Sequence, residues 1–453
     1  AMYGLAKVVN VEEYKIKVRA IDIEPDIEAA FLYQEFTTES DFFLTAYRNG
    51  KCYVEELALL DQVKPESHVE IKEQGVYVIA GGTGAIGLEF AQYLSQSALC
   101  NIILLCRTMP QDEKLIKHIQ NISKYAQGLE VLNVDITKEE DVRKGIGYIT
   151  EKYDKIHGII NCAAVGVGCV GTPIRELDFS IFRKVLMPKV HGTTLLYQYT
   201  ADKNLDFFVC LSSAITLTGG EGSAGYVAGN YFMESFAAAC GNKGGKTVSI
   251  SYPAWLRSVS VLEQHFDEST QVFESVATEE ILEAFHTAIS YPGHKIFPGR
   301  LNKKGKIFGL GQLLPFRLSD TVWKSIQPLE EEAEQKQVIE KKYEVKIDAG
   351  EEFLSSLETE IVEVFAEVLG YRNIRVSDNF FQMGGDSIVA MKIINLLKKR
   401  LQVEISLAEL VNSENLLCFV RQVSREKTAK RQEIITQGEK KEYYETSLEP
   451  VSY

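Results

Sequence analysis

The chain has 453 residues, which exceeds what one hydrophobic core supports and predicts two to four domains. Its hydrophobic fraction of 45% and charged fraction of 25% are ordinary for globular proteins, and its formal net charge of −14 argues against nucleic acid or an anionic membrane as the main partner. Eight cysteines without a CxxC pair, seven histidines without an HExxH spacing and no apolar run of about 18 residues predict a cytoplasmic protein with free thiols, no metal centre and no membrane span.

Five segments follow one another along the chain. Residues 1–74 contain EYKIKVRAIDIEPDIEAAF, whose strand-then-helix pattern predicts a small α+β subdomain. Residues 75–300 alternate strand-like apolar runs with helical stretches, which predicts a parallel α/β sheet. Residues 301–349 include a long charged run and predict a linker that also completes the first subdomain. Residues 350–426 space apolar residues three and four apart, which predicts an all-α domain, and residues 427–453 are polar and predict a linker toward a following domain.

The predicted sheet has a glycine-rich loop directly after its first strand. The six predicted strands are GVYVIAG, NIILLCR, EVLNVDI, HGIINCA, DFFVCLSS and TVSISYP. Each run ends in small or polar residues, and ligands of open parallel sheets bind in the crevice beyond such ends. The loop VIAGGTGAIG places Gly82, Gly84 and Gly87 between a strand and a helix, where glycines let a pyrophosphate approach the helix N-terminus. The pattern predicts a dinucleotide site of the Rossmann type.

Two side chains at strand ends bear on which dinucleotide binds. Arg107 ends the second predicted strand, twenty residues beyond Gly87. An acid at that position would bind a ribose hydroxyl, whereas an arginine favours the 2′-phosphate of NADPH. A purely surface role for Arg107 is the alternative. Asp135 ends the third predicted strand and is either an acceptor for the adenine amino group or a cap of the helix that follows.

The stretch SSAITLTGGEGSAGYVAGN places Ser213 thirteen residues before Tyr226 and Asn230 four residues after it. Together with MPKVHG, which carries Lys189, this spacing resembles the ketoreductase domains of modular polyketide and nonribosomal peptide synthetases. These domains are a branch of the short-chain dehydrogenase/reductase family. In that branch a lysine precedes the strand that carries the serine, in a PKVxG context, and an asparagine follows the tyrosine. The resemblance covers the whole predicted sheet and implies a Rossmann-type, NADPH-dependent reductase.

The resemblance implies a role for each of these four side chains in reducing a carbonyl. Tyr226 donates a proton to the developing alkoxide, and the ammonium of Lys189 lowers the pKa of that phenol, which is ordinarily about 10. Ser213 donates a hydrogen bond to the substrate oxygen, and Asn230 orders the lysine or a relay water. Taken singly, each residue has a structural alternative as a cap, a core side chain or a solvated charge.

The same resemblance implies a set of cofactor contacts. They are Gly82, Gly84, Ile86, Gly87, Arg107, Asp135, Ile136, Asn161, Ala163 and Pro253. Two features depart from the family. The loop after the fourth strand reads NCAA where the family often has HAAG or NAAG, and Thr218 stands where one stereochemical class has tryptophan. The configuration of the product therefore stays open.

The sharpest motif of the chain is DNFFQMGGDSIVAMKI. It resembles the phosphopantetheine attachment site of four-helix carrier domains, with Ser387 as the modified hydroxyl at the start of a helix and Gly384 and Gly385 leaving room for a transferase. The GGDS form is closer to peptidyl carriers than to acyl carriers. A Gly-Gly turn before an ordinary helix is the structural alternative. A carrier in the same chain implies a substrate tethered as a thioester at high effective concentration.

The first segment bears a weaker resemblance. Residues 13–31 are similar to a motif of adenylation C-terminal subdomains that runs roughly QVKIRGxRIEPGEIEAAL, with Ala20 and Asp26 in place of two of its glycines. No convincing adenylating-lysine motif precedes the carrier motif. The resemblance therefore implies that residues 1–74 are a degenerate subdomain retained as scaffold, and an ordinary strand–helix pair is the alternative.

In this order, the three segments resemble ketoreductase-containing modules of depsipeptide synthetases of the valinomycin and cereulide type. The resemblance implies reduction of a carrier-tethered α-ketoacyl thioester to an α-hydroxyacyl thioester, with NADPH and 4′-phosphopantetheine as cofactors. It also implies three protein partners: an adenylation core domain, a phosphopantetheinyl transferase and a downstream condensation domain. Two alternatives stay open, namely a β-ketoacyl reductase with carrier from a polyketide or hybrid synthase, and an inactive reductase fold that acts as scaffold.

Overall fold

The computed structural model of the chain shows two compact units, one built mainly from residues 1–303 and the other mainly from residues 323–453. The residues that it describes are 1–13, 16, 18–25, 29–37, 42–60, 69–165, 171–241, 243, 245–255, 271–302, 316–326, 345–350, 352–369, 371, 373–380, 383, 387–401 and 405–425. Within these ranges, none of the helices combines the length and the apolar composition needed to cross a membrane.

The first unit begins with a helix and a small three-stranded sheet. Its elements are α1 (Met2–Glu12), β1 (Ala20–Asp22), α2 (Ala29–Thr37), β2 (Leu44–Arg48), β3 (Lys51–Val54) and β4 (Glu56–Leu57). β1 pairs with β2 in parallel, and β3 completes the sheet in the order β1–β2–β3. The predicted strand-then-helix pattern corresponds to β1 and α2, so the α+β class predicted for this segment is confirmed.

A seven-stranded parallel sheet forms the centre of the first unit. Its strands and helices are β5 (Val76–Ala80), α3 (Ala85–Ser97), β6 (Asn101–Cys106), α4 (Glu113–Ser123), β7 (Gly128–Asn133), α5 (Glu139–Tyr153), β8 (Gly158–Asn161), α6 (Phe179–Met187), a π-helical turn (Pro188–Gly192), α7 (Thr193–Gln198), a 3-10 turn (Ala201–Lys203), β9 (Phe207–Ser213), α8 (Ile215–Thr218), α9 (Ala224–Cys240), β10 (Lys246–Tyr252), α10 (Thr278–Ser290) and β11 (Lys295–Ile296). The strand order is β11–β10–β9–β8–β5–β6–β7. The order reverses between β5 and β8, which is where open α/β sheets bind their ligands. The predicted Rossmann-type sheet is confirmed.

These strands are continuous apolar runs because helices cover both faces of the sheet, so side chains on both faces are buried. Successive side chains point to opposite faces, so Tyr77 and Ile79 of β5 belong to one hydrophobic layer, and Val76 and Val78 belong to the other. All five residues of β5 and all six of β6 are buried. A strand of this kind carries no alternating polar residues, and the length of the apolar run is its main sequence signal.

The structure corrects the third and last strands. The run EVLNVDI predicts a strand over residues 130–136, but β7 spans Gly128–Asn133 and Asp135 lies beyond its end. The carboxylate of Asp135 accepts hydrogen bonds from the amide (3.0 Å) and hydroxyl (2.7 Å) of Thr137, a local turn that competes with strand pairing. The last strand, β11, has two residues and was not predicted, because so short a run shows no periodicity.

The segment predicted as a linker, residues 301–349, contributes structure at both ends. The strand β12 (Arg317–Leu318) pairs in parallel with β4, and the helix α11 (Asp320–Ile326) follows it. At the other end, the strand β13 (Lys346–Asp348) pairs in parallel with β14 (Asn373–Arg375) in the second unit. The strand β13 lies before residue 350, where the carrier domain is predicted to begin, and the side chain of Ile347 packs on the core of the second unit.

The second unit is helical. Its helices are α12 (Ser356–Leu369), α13 (Ser387–Leu401), α14 (Leu407–Asn412) and a fourth over residues 416–425. The rings of Phe365 and Phe419 meet edge to face with centroids 5.5 Å apart in the centre of its core. The described residues thus form the four helices expected of this domain. The parallel pair β13–β14 is an addition to the all-α class that was predicted.

Helix α1 packs closely along α9, which carries two of the candidate catalytic residues. Gly4 makes this contact possible: a Cβ added there would lie 2.7 Å from the carbonyl oxygen of Val227 and 2.9 Å from the Cα of Ala228. Both neighbours are backbone atoms, so the two helices would have to separate to admit a methyl group. The close approach of α1 and α9 therefore requires glycine at position 4.

We expect Gly4→Ala to lower the free energy of unfolding by about 1–3 kcal/mol, because overpacking at a backbone contact forces the helices apart. Gly147→Ala is the matched control, since a Cβ at that helical glycine of α5 meets nothing within 4 Å. That control should stabilise the chain by about 0.5–1 kcal/mol. Urea denaturation followed by the fluorescence of Trp255, with Trp323→Phe in every variant, measures both. Equal effects of the two substitutions would contradict the proposed packing.

Candidate active site

The four side chains singled out from the sequence converge around the end of β9. Ser213 is the last residue of β9, Lys189 lies in the π-helical turn that continues α6, and Tyr226 and Asn230 lie one turn apart on α9. The amine of Lys189 lies 5.4 Å from the ring centroid of Tyr226. The amide of Asn230 donates a hydrogen bond to the carbonyl of Tyr226 at 2.9 Å. The tertiary fold therefore brings together residues that are up to 41 positions apart in sequence.

The side chain of Lys189 is enclosed between β9 and α9. It is 4% exposed, and its amine makes one long hydrogen bond, 3.5 Å, to the carbonyl of Leu211. Its aliphatic stem fits against Gly229, where an added Cβ would lie 3.0 Å from the Cβ of Lys189. The glycine on α9 thus creates the space through which the lysine reaches Tyr226.

The π-helical turn that carries Lys189 is fixed by a buried hydrogen-bond chain. The hydroxyl of Thr193 donates to the carbonyl of Lys189 (2.6 Å) and accepts from the amide of Asn161 (2.9 Å). The amide oxygen of Asn161 accepts from the backbone N–H of Ala163 at 3.1 Å. Short π-helical turns are frequent at functional sites. Asn161 was predicted as a cofactor contact, but its side chain is engaged in holding this turn to the end of β8.

Burial dominates the electrostatics of the site. It lowers the pKa of Lys189 from its ordinary value to about 8, against the opposing effect of the nearby thiols of Cys162 and Cys210. Burial also raises the pKa of Tyr226, and hydrogen bonds with Ser213 and Asn230 act in the opposite direction. The sequence hypothesis expects the lysine to lower the pKa of Tyr226. In this structure the pKa of Tyr226 is raised, because desolvation by burial outweighs the hydrogen bonds with Ser213 and Asn230.

The glycine loop between β5 and α3 has the shape that a dinucleotide requires. Gly81 has a φ of 75°, in the left-handed region, and the backbone N–H of Gly84 donates to its carbonyl at 3.0 Å. A Cβ at Gly87 would lie 2.5 Å from the carbonyl oxygen of Gly81, so the loop could not close on its helix with any larger residue. No side chain caps α3 at Gly84. The N–H groups of its first turn are therefore available to a phosphate.

Three further predicted cofactor contacts, Arg107, Asp135 and Ile136, differ in how exposed they are and in what they contact. The side chain of Arg107 is exposed beyond β6, as a partner for a 2′-phosphate must be. One carboxylate oxygen of Asp135 accepts both hydrogen bonds from Thr137. The helix α5 begins at Glu139 without a side-chain cap, so the helix-cap alternative for Asp135 is wrong, and the adenine contact stays a prediction. Ile136 is 6% exposed, and its side chain lies against Gly192 in the π-helical turn. A Cβ added to Gly192 would be 2.6 Å from the Cδ1 of Ile136. Ile136 therefore supports the π-helical turn from behind.

The remaining predicted contacts, Ile86, Ala163 and Pro253, follow the carboxyl ends of β5, β8 and β10. Ile86 is half-buried in the first turn of α3 and packs on the core. The backbone of Ala163 approaches the glycine loop so closely that a Cβ at Gly81 would lie 2.8 Å from its Cα. Pro253 is buried directly after β10. Residues 256–270, which follow soon after it, lie outside the described residues.

Sequence reasoning missed Glu234, a buried carboxylate two turns beyond Tyr226 on α9. One of its oxygens accepts hydrogen bonds from the hydroxyls of Ser212 (2.8 Å), Thr216 (2.6 Å) and Ser251 (2.7 Å). Its side chain is 3% exposed. The signal was present, because Glu234 is the one charged residue in the helix sequence AGYVAGNYFMESFAAAC. A lone charge among apolar and small residues predicts a buried polar network.

In the second unit, Ser387 is the first residue of α13. The segment that leads to it is anchored by Met383, which is 4% exposed and whose carbonyl accepts a hydrogen bond from the hydroxyl of Tyr371 at 3.0 Å. The predicted turn at Gly384 and Gly385 lies outside the described residues. Elsewhere in the described ranges, no group of three or more His, Cys, Asp or Glu side chains is arranged to hold a metal ion.

Comparison with protein families identifies two domains. Residues 75–257 match the KR domain, and residues 359–421 match the phosphopantetheine attachment site. Among curated proteins, the chain is 26% identical over 265 residues to polyketide synthase PksN of Bacillus subtilis (strain 168), covering 56% of this chain and 5% of PksN. It is 25% identical over 365 residues to polyketide synthase PksM of the same organism, covering 80% of this chain and 8% of PksM. The chain thus spans less than a tenth of either relative.

Solved structures agree on the fold. A ketoreductase domain from the bacillaene assembly line is 25% identical with a TM-score of 0.58, covering 66% of this chain and 73% of that chain. An adenylation, ketoreductase and pseudo Asub multidomain structure of a keto acid-selecting NRPS module is 24% identical with a TM-score of 0.59, covering 67% and 27%. KR domains use NADPH and phosphopantetheine attachment domains carry 4′-phosphopantetheine, so the predicted cofactors are those of the two matched families.

We expect Lys189→Met to raise the free energy of unfolding by about 1–3 kcal/mol at pH 7, because methionine has a similar shape and no ammonium to desolvate. The folded-state pKa, about 8, lies below the ordinary value of 10.5, so the cost of burial is fully present below pH 8. The gain should shrink as pH rises from about 8 to 10.5. Urea denaturation across this pH range measures it. Lys184→Met, at an exposed position of α6, is the control and should change stability by less than about 0.5 kcal/mol. A destabilised Lys189→Met protein would contradict this account.

Proposed function

Because residues 75–257 form a KR domain and residues 359–421 a phosphopantetheine attachment domain, we propose that this chain is part of a multidomain synthase whose reductase acts on a ketoacyl group held by the carrier. The observation that carries the proposal is the convergence of Lys189, Ser213 and Tyr226 beside a glycine loop open to a phosphate. In this proposal residues 75–300 are the reductase, residues 350–426 the carrier and residues 1–74 a scaffold.

NADPH, when bound, supplies a hydride for the carbonyl carbon of the substrate. The hydroxyl of Tyr226 gives its proton to the carbonyl oxygen as negative charge develops there, and the hydroxyl of Ser213 donates a hydrogen bond to the same oxygen. The ammonium of Lys189 stabilises the phenolate that remains. The amide oxygen of Asn230 is buried and accepts no hydrogen bond from the described residues, so it is available to a water that returns the proton.

The pKa shifts of the site support this division of roles. The raised pKa of Tyr226 keeps the phenol protonated at neutral pH, as a proton donor requires. The pKa of Lys189, about 8, leaves its amine mostly protonated at pH 7, close enough to neutrality for the charge to depend on its surroundings. A loss of the ammonium above pH 8 would leave the phenolate without its counter-charge.

We propose an α-ketoacyl thioester as the substrate. Two observations support it: residues 13–31 resemble an adenylation subdomain motif, and the fold is shared with a keto acid-selecting NRPS module. A β-ketoacyl thioester is the second candidate, favoured by the curated relatives PksN and PksM, which are named as polyketide synthases. The two candidates differ only in the distance between the reducible carbonyl and the thioester carbon.

The carrier extends the proposal to protein partners. Ser387 at the N-terminus of α13 is the proposed attachment point for phosphopantetheine, which requires a phosphopantetheinyl transferase. An adenylation core domain would supply the keto acid, and a condensation domain would consume the hydroxyacyl product. We place the whole assembly in the cytoplasm, where the free thiols of this chain remain reduced.

Tyr226→Phe tests the proton donor. We expect it to lower kcat at least about 100-fold, because the phenol supplies the proton of the transition state, and to leave the Kd for NADPH within about twofold. Consumption of NADPH measures the first quantity, and nicotinamide fluorescence on titration measures the second. Tyr231→Phe is the matched control on the same helix, at a buried tyrosine one turn away, and should keep wild-type kcat. Wild-type turnover by the Tyr226→Phe protein would refute the mechanism.

The choice of substrate is tested on the carrier itself. Ser387 is loaded with matched α-keto and β-keto acyl phosphopantetheine arms, NADPH is added, and mass spectrometry detects the gain of two hydrogen atoms on the acyl group. We expect rapid reduction of the α-keto arm and turnover of the β-keto arm at least about tenfold slower. Ser387→Ala, which cannot be loaded, is the control for reduction of untethered material. Preference for the β-keto arm would replace the α-keto proposal with polyketide chemistry.

A further inference from the structure

The stretch between Ser213 and Tyr226, residues 214–223, is held in place by helix α1 from the beginning of the chain. The amine of Lys7 donates hydrogen bonds to the carbonyls of Thr216 (2.9 Å) and Leu217 (3.3 Å). These carbonyls lie in the last turn of α8, where a helix leaves its carbonyls without intrahelical partners. Lys7 is 2% exposed, so its ammonium is buried at this helix end. A cation at a helix C-terminus also interacts favourably with the helix dipole.

The other end of the same stretch is held by Glu12. One of its carboxylate oxygens accepts a hydrogen bond from the backbone N–H of Gly222 at 2.8 Å. The other accepts from the backbone N–H of Ile174 at 2.5 Å. Residues 214–223 are therefore tied to α1 near their beginning and near their end, by two side chains that lie five residues apart on one helix.

Thr216 connects Lys7 to Ser213 through hydrogen bonds. The hydroxyl of Thr216, whose carbonyl binds Lys7, lies 2.8 Å from the carbonyl of Ser213 and 2.6 Å from the carboxylate of Glu234. The hydroxyl oxygen of Ser213 accepts from the backbone N–H of Ile215 at 3.4 Å. A shift of α8 would consequently move both the backbone and the hydroxyl of Ser213. Reaction rates are sensitive to displacements of this kind on the scale of 1 Å.

We propose that Lys7 and Glu12 are positioning residues of the reductase: they fix residues 214–223 and thereby hold Ser213 at a constant position relative to Tyr226. The inference rests on the proposed function, and it gives the first segment of the chain a part in turnover beyond that of a scaffold. None of the hydrogen bonds described for Lys7 and Glu12 reaches the glycine loop over 81–87, so we expect substitutions at these two residues to leave the binding of NADPH unchanged.

A substitution at Glu55 distinguishes a positioning role of Lys7 from a role in stability alone. Its carboxylate forms an ion pair with Lys7 at 2.8 Å and a second with Lys295 at 3.4 Å. The hydrogen bonds described for Glu55 do not include residues 214–223. Glu55→Gln weakens the buried charge pair and leaves the amine of Lys7 able to donate to both carbonyls of α8. It is therefore the matched control for Lys7→Met.

The experiment uses the whole chain and four variants: Lys7→Met, Glu12→Ala, Glu12→Gln and Glu55→Gln. We expect Lys7→Met and Glu12→Ala to lower kcat about tenfold to a hundredfold with the KM for NADPH within about twofold. Glu12→Gln should recover part of the activity, because its amide oxygen still accepts from Gly222 while its amide nitrogen cannot accept from Ile174. Glu55→Gln should lower the urea midpoint and keep kcat within about twofold.

Amide hydrogen exchange across residues 214–223 is the second measurement, and it does not depend on turnover. We expect exchange there to rise about tenfold in Lys7→Met and Glu12→Ala and to stay at the wild-type rate in Glu55→Gln. Wild-type kcat and exchange in Lys7→Met would overturn the inference, as would an equal loss of kcat in Glu55→Gln. Absence of reduction by the wild-type protein would instead overturn the proposed function, with exchange still deciding whether α1 holds this stretch. If Lys7→Met does not fold, the Glu12→Ala and Glu12→Gln pair decides the question.

Discussion

The buried carboxylate of Glu234 joins five elements of the first unit: its own helix α9 and the elements β9, α8, β10 and β11. One oxygen receives three hydroxyl groups, from β9, α8 and β10, and the other faces the ammonium of Lys295 at 2.8 Å. A carboxylate tolerates such burial only where these partners replace water. Lys295 also forms an ion pair with Glu55, and Glu55 forms one with Lys7. Alternating charges therefore connect α9 to α1. Glu234 lies on α9 with Tyr226, so its own contacts with β9, α8 and β10 fix the helix that carries the phenol.

The candidate site combines a tightly fixed backbone with ionisable groups that burial drives toward neutrality. The pKa of Lys189 is lowered and that of Tyr226 is raised by the same cause, removal from water. A neutral phenol is what a proton donor needs, whereas the phenolate formed after transfer needs the ammonium. The π-helical turn, with Thr193 and Asn161 behind it, keeps the lysine beside the ring. The position of the lysine is therefore set by hydrogen bonds within the protein.

Much of the fold and part of the site follow from the sequence, for identifiable reasons. Five of the six predicted strands agree with the structure to within two residues at each end. The agreement follows because strands of a parallel sheet are continuous apolar runs between turn residues. The third strand ends early because Asp135 forms a local turn with Thr137. β11 escaped notice because two residues carry no pattern. The raised pKa of Tyr226 was not predicted, since desolvation depends on packing that no local spacing encodes.

The sequence by itself determined the chemistry that is available: the glycine loop, the spacing of Lys189, Ser213 and Tyr226, and the motif that ends at Ser387. These signals are local, because each depends on residue types at fixed separations within one or two elements. Only the tertiary structure decided that Lys7 binds carbonyls more than two hundred residues away. A buried charge pairs with whatever the fold brings to it, and contacts over such separations leave no periodicity or motif in the chain.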